Sequence, residues 1–108
     1  MPSSIQTTPS PQSAAVKRAT SFEPEAAAAF GAVVRAERVK LGIAQDQFAL
    51  IANVDRSYFG KLERGERQPS LALIIRIASG LGIAAGELVA KVEHALATPK
   101  RHGAVRKL

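Results

Sequence analysis

Residues 45–65, QDQFALIANVDRSYFGKLERG, contain two short apolar periodicities separated by three residues suited to a turn. Phe48 and Ala52 recur at i, i+4 spacing, which predicts a helix over 45–52 with one inward face. Asn53 follows, one of the few residues besides Gly that accepts a left-handed conformation. Asp55 is suited to cap the next helix, its carboxylate accepting from free N-terminal amides, while Phe59 and Leu62 continue an inner stripe at i, i+3 spacing. Gly65 stops it. So short a connection forces a sharp crossing, and Ala49 supplies the small side chain needed where the helices touch. The later helix then divides by face. Val54, Phe59 and Leu62 point inward, Arg56, Ser57, Gly60, Lys61 and Arg64 outward, with Tyr58 at the edge.

Outward from this pair, a first helix opens near Pro24 and runs to Leu41 before Gly42 stops it. Its inner stripe reads Phe30, Val33, Val34 and Leu41. Ser70, after Pro69, caps a fourth helix with inner positions Leu71, Ile74, Ile75, Ala78 and Leu81, ended by Gly82. A fifth covers Ala85 to Leu96 and carries Leu88, Val92 and Leu96. No strand-like alternation competes. Five short helices on short loops predict an all-α domain of low contact order over 22–96. Residues 1–21 hold three Pro, many Ser and Thr and no periodic apolar stripe, so they read as a disordered arm. Residues 97–108 break helix at Thr98-Pro99 and form a basic tail with Lys100, Arg101, Arg106 and Lys107.

Composition bounds the function. A chain of 108 residues with 46% hydrophobic and 22% charged residues suits one small domain with flanks. The absence of Cys removes thiolate metal and redox sites, and His94 and His102 are isolated, so no metal or cofactor is expected. No signal-peptide core or membrane-length apolar run is present, which gives the expectation of a soluble cytoplasmic protein without a membrane partner. Neither His has an identifiable catalytic partner and no Gly-rich phosphate loop occurs, so an enzyme is not expected. The formal charge of +6 points to a polyanion. All nine acidic residues and nine of the fifteen basic ones fall within 22–96, leaving the excess on the flanks.

The outward row of the third helix offers a guanidinium, a hydroxyl, an ammonium and a phenol, the groups that read base edges and phosphates in a major groove. A solvated helix face is the ordinary alternative for a charged row. At this point the sequence resembles a known family. Residues 30–93, FGAVVRAERVKLGIAQDQFALIANVDRSYFGKLERGERQPSLALIIRIASGLGIAAGELVAKVE, look like the helix-turn-helix domain of phage Cro and cI repressors, the XRE family. The most specific parts are AQDQFA, DRSYFGKLERGERQPSL and IASGLGI. The resemblance implies a five-helix lambda-repressor-like domain that binds double-stranded DNA through its third helix, usually as a homodimer on a two-fold symmetric operator.

Carried over residue by residue, Arg56, Ser57 and Lys61 match the family's base-facing positions, and Tyr58 is left to pack on a thymine methyl or hold a phosphate. Gln45 matches a glutamine that grips a phosphate at the start of the second helix. Arg67, Arg35 and Arg64 are further phosphate candidates. Glu63 sits where a phosphate would repel it, and Arg38 lies on the apolar stripe of the first helix, four residues after Val34. The resemblance pairs these two as a structural ion pair. Ala44 and Ala84 replace usual capping residues and Glu37 a usual aliphatic, departures that bear on stability and tilt.

Val39, Leu50, Leu73, Ile77 and Val89 fall off the inner stripes, which predicts a homodimer through the region of the fourth and fifth helices. Its recognition helices would lie about 34 Å apart. The leading expectation is a sequence-specific transcriptional repressor that occupies an operator. The alternative is an antitoxin or coactivator-like module that binds a small protein partner and meets DNA only for autoregulation. Because the excess positive charge lies on the flanks, removing 1–21 and 97–108 is expected to weaken DNA binding and flatten its salt dependence. The consensus selected from random duplexes should stay the same; a changed consensus would show that the flanks read bases.

Overall fold

In a computed structural model describing residues 21–98, helices occupy Pro24–Lys40 (α1), Gln45–Ala52 (α2), Arg56–Glu63 (α3), Leu71–Leu81 (α4) and Ala85–Ala97 (α5), with no strand among the described residues. The disordered arm and basic tail expected at 1–21 and 97–108 lie outside these residues, except for Ser21, Ala97 and Thr98.

The helix ends follow local chemistry. Pro24 sits in the first turn of α1, where a missing N–H costs no helical hydrogen bond. Asn53 leaves α2 in the left-handed region, with φ 58° and ψ 51°. The Asp55 carboxylate accepts from the Tyr58 amide at 3.0 Å, and the Ser70 hydroxyl accepts from the Leu73 amide at 3.1 Å. Ala44 and Ala84 precede α2 and α5 without a side-chain cap, so these two starts lack about 0.5–2 kcal/mol of stabilisation each.

Phe48 of α2 and Phe59 of α3 meet at the centre with ring centroids 5.2 Å apart. The tilted contact is worth about 0.5–1.5 kcal/mol beyond the area it buries. Phe30, Val34, Leu62, Ile77 and Leu88 close around it, so every helix contributes to one core. Val33, Val54 and Val92 are partly buried against that core.

The inner face of α4 differs from the one its apolar pattern predicts. Leu73 and Ile77 are buried, while Leu71 and Ile75 are 72% and 51% exposed. Gly80 explains the rotation: a Cβ there would come within 3.0 Å of the Phe48 ring, so the bare backbone lets α4 settle with that side against α2. Leu41 and Leu96, also expected inside, are exposed at the ends of their helices. Val39, Leu50 and Val89 are exposed as expected.

α1 crosses close to the end of α3 because Gly31 faces it. A Cβ at position 31 would overlap the carbonyl groups of Leu62 and Glu63, which are backbone atoms with little room to yield. Gly31→Ala is therefore expected to lose about 1–3 kcal/mol in urea unfolding. Gly86→Ala, at a helical position with nothing within 4 Å, should instead gain about 0.5–1 kcal/mol. Equal effects at the two sites would show that helix propensity alone governs both.

Candidate nucleic-acid interface

The sharp turn at 53–55 brings the start of α3 to the surface. Arg56 and Ser57 are exposed there, and Lys61 lies partly buried one turn further along the same face. No hydrogen bond or ion pair engages these three side chains among the described residues. Tyr58 is partly buried. It packs against the core and, with Ser70, Leu73 and Arg76, borders a groove between α3 and α4. Gly60, expected to face outward, is buried beneath Gln45 and Arg64, whose side-chain atoms lie within about 4 Å of where its Cβ would stand.

A buried ion pair fixes this helix from behind. Arg38 Nε donates to Glu63 Oε2 at 2.7 Å and Nη2 to Oε1 at 3.0 Å. The third arm of the guanidinium, Nη1, donates to the Ile43 carbonyl at 2.8 Å. One side chain thus ties α1 to the loop before α2 and to the last turn of α3. The hydrogen bond to Glu63, aided by its charge and opposed by burial, raises the Arg38 pKa above its ordinary value. The guanidinium stays charged throughout the working range.

Gln45 joins the same network, donating from Nε2 to Glu63 Oε1 at 2.8 Å. Its side chain is therefore anchored inward at the start of α2, and one of its two amide hydrogens is already used. Arg64 is likewise engaged, with Nε and Nη2 on the carboxylate of Glu66 at 2.8 and 3.2 Å. Arg67 donates to the Glu66 carbonyl at 2.9 Å. Arg35 is exposed on α1. The α3 row, Gln45, Arg64 and Arg67 gather around α3 and the turn that follows it.

Two further residues support the interface without having been singled out in the sequence. Gln68 accepts from the Glu23 amide at 2.6 Å and donates to the Ser21 carbonyl at 3.0 Å, clamping the start of α1 to the loop after α3. Glu66 stands within a run of basic residues, a local sign that it would meet them. Glu37, the departure noted on α1, pairs with Lys40 at 3.2 Å and with Lys91 of α5 at 3.7 Å.

A helix-turn-helix family model, HTH_3, matches residues 34–88, half of the chain, from within α1 to the first turn of α5. The chain belongs to this family. HTH_3 membership makes it a DNA-binding protein of the XRE-type transcription-regulator class. It is 37% identical over 54 residues to the control protein C.MunI of a Mycoplasma species, covering 50% of this chain and 73% of that protein. It is 41% identical over 59 residues to YazB of Bacillus subtilis, an uncharacterized HTH-type transcriptional regulator, covering 55% and 86%. Among solved structures it resembles the restriction-modification controller protein C.AhdI of Aeromonas hydrophila, with a TM-score of 0.56, 39% identity and coverage of 57% and 94%.

Because the Arg38 and Glu63 side chains are 10% and 3% exposed, removing one partner strands the other's charge in the interior. Glu63→Ala is expected to lose about 3–5 kcal/mol in denaturant unfolding. The apolar double variant Arg38→Met/Glu63→Leu should recover much of that loss. A double variant as unstable as the single would show that packing, not the stranded charge, sets the cost.

Proposed function

We propose that this protein is a sequence-specific regulator that binds a two-fold symmetric operator as a homodimer and represses by occupying it. The observation that carries the reading is the start of α3, where Arg56, Ser57 and Lys61 share one face with side chains free of internal partners while Phe59, Leu62 and Glu63 are buried on the other. Such a face suits the major groove. An exposed guanidinium at the first position of α3 can fork onto the O6 and N7 of guanine, with Ser57 and Lys61 reaching adjacent bases or phosphates.

Gln45, Arg67, Arg35 and Arg64 are assigned to phosphates, which fix register and orientation without carrying sequence. The Gln45 amide keeps one hydrogen beyond the bond to Glu63, so the network can hold it while it donates outward. Tyr58 is assigned to the edge of the interface, where its position between α3 and α4 favours a phosphate over a base.

The homodimer is assigned to α4 and α5, with a revised set of contacts. Leu71 and Ile75 stand one turn apart on the outer side of α4, and Val89 is exposed on α5. They replace Leu73 and Ile77, which the core already uses. The names of C.MunI, a control protein, and of C.AhdI, a restriction-modification controller protein, support the reading as a regulator. No single helix among the described residues is long and apolar enough to cross a membrane, and we place the protein with its DNA in the cytoplasm.

Selection of bound duplexes from a random pool tests this directly. A two-fold symmetric consensus is expected, and Arg56→Ala should lose preference for one symmetric base pair by about 1–3 kcal/mol. An asymmetric consensus would remove the dimer. An Arg56→Ala variant with unchanged affinity and consensus would remove the α3 assignment.

A further inference from the structure

Glu66 brings a carboxylate into the middle of the basic residues that end α3. Its two oxygens bridge Nε and Nη2 of Arg64, while its carbonyl accepts from Arg67. The Arg64 and Glu66 side chains are 57% and 49% exposed, so an incoming anion can reach the pair. A carboxylate bridging two guanidinium nitrogens has the geometry in which arginine also takes a phosphate. We propose that Glu66 occupies, in the free protein, the place of a DNA phosphate at Arg64, and so sets the electrostatic part of the affinity. This rests on the DNA-binding reading above.

Two consequences follow from charge. When a phosphate takes Arg64, the displaced carboxylate is left beside the DNA backbone and draws in a cation, offsetting up to one of the counterions that binding releases. One counterion changes the slope of log K against log salt by about 0.9, equivalent to about fifteenfold in affinity at 50 mM salt and about fourfold at 200 mM. The hydrogen bond from Arg64, with the charges of Arg64, Lys61 and Arg67, also holds the Glu66 carboxyl below its ordinary pKa. The competition is therefore complete at neutral pH and is relieved only as pH falls through that lowered value.

The test uses the full chain and a random-sequence duplex of about 20 base pairs, titrated by fluorescence anisotropy between about 50 and 200 mM KCl. Glu66→Gln is expected to bind up to about fifteenfold more tightly at 50 mM and up to about fourfold at 200 mM, with a salt slope steeper by up to about 0.9. Glu66→Asp should stay near the wild type, and Glu93→Gln, on α5, should gain much less. In an Arg64→Ala background the gain from Glu66→Gln should shrink to that of Glu93→Gln. Thermal midpoints should be unchanged, since an exposed pair contributes little to folding. Unchanged affinity and slope in Glu66→Gln, or a full gain without Arg64, would overturn the proposal while the wild type still binds DNA. A wild type that binds no duplex would bring down the DNA reading itself.

Discussion

The bidentate contact between Arg38 and Glu63 constrains every other part of the site. It joins the middle of the first helix to the last turn of the third, and through the Ile43 carbonyl it reaches the loop that starts the second. Desolvating both charges costs free energy that their attraction only partly offsets, so the pair is weak as a source of stability. Its value lies in geometry. An apolar pair would tolerate small rotations of α3, whereas a fork of three hydrogen bonds fixes the angle at which Arg56, Ser57 and Lys61 leave the surface. Gly31 makes the same approach possible by leaving no side chain between α1 and the Leu62 and Glu63 carbonyls.

The sequence made the helix limits legible because they are set by local chemistry. Asn53, Asp55 and Ser70 act through their own backbone or that of a residue three positions away, so tertiary context has little to alter. The face of α4 was not legible in the same way. In the run 71–77, LALIIRI, apolar side chains lie on almost every side of the helix, and two inner stripes fit it about equally well. Contact between Gly80 and Phe48 chooses between them, turning the inner face by roughly 60° at 100° per residue. The choice moves Leu73 and Ile77 into the core and leaves Leu71 and Ile75 exposed.

Within the candidate site, the exposed row of α3 could be read from its alternation with Phe59 and Leu62, but Gly60 could not. Its burial depends on Gln45 and Arg64 folding over it from outside α3. The internal bonds of Gln45 and Arg64 are not legible either, since a sequence shows which groups are polar but not which are already hydrogen-bonded. The missed residue with the clearest signal is Gly31. A glycine inside a strong helical pattern costs about 1 kcal/mol against alanine, which marks a place where packing demands a bare backbone.

The balance of charge in the folded part acquires a meaning from these contacts. A DNA-binding domain with as many acids as bases over 22–96 looks poorly suited to a polyanion. Yet two carboxylates at the end of α3 are held by arginines, Glu63 by Arg38 and Glu66 by Arg64. The first is buried and permanent, and its charge is spent on the orientation of α3. The second is exposed and exchangeable, and its charge is set against that of the incoming DNA. Net charge therefore describes the attraction that brings the chain to any duplex, which the flanks dominate. The attraction felt once α3 is seated depends on which acids remain paired, and that is decided by burial.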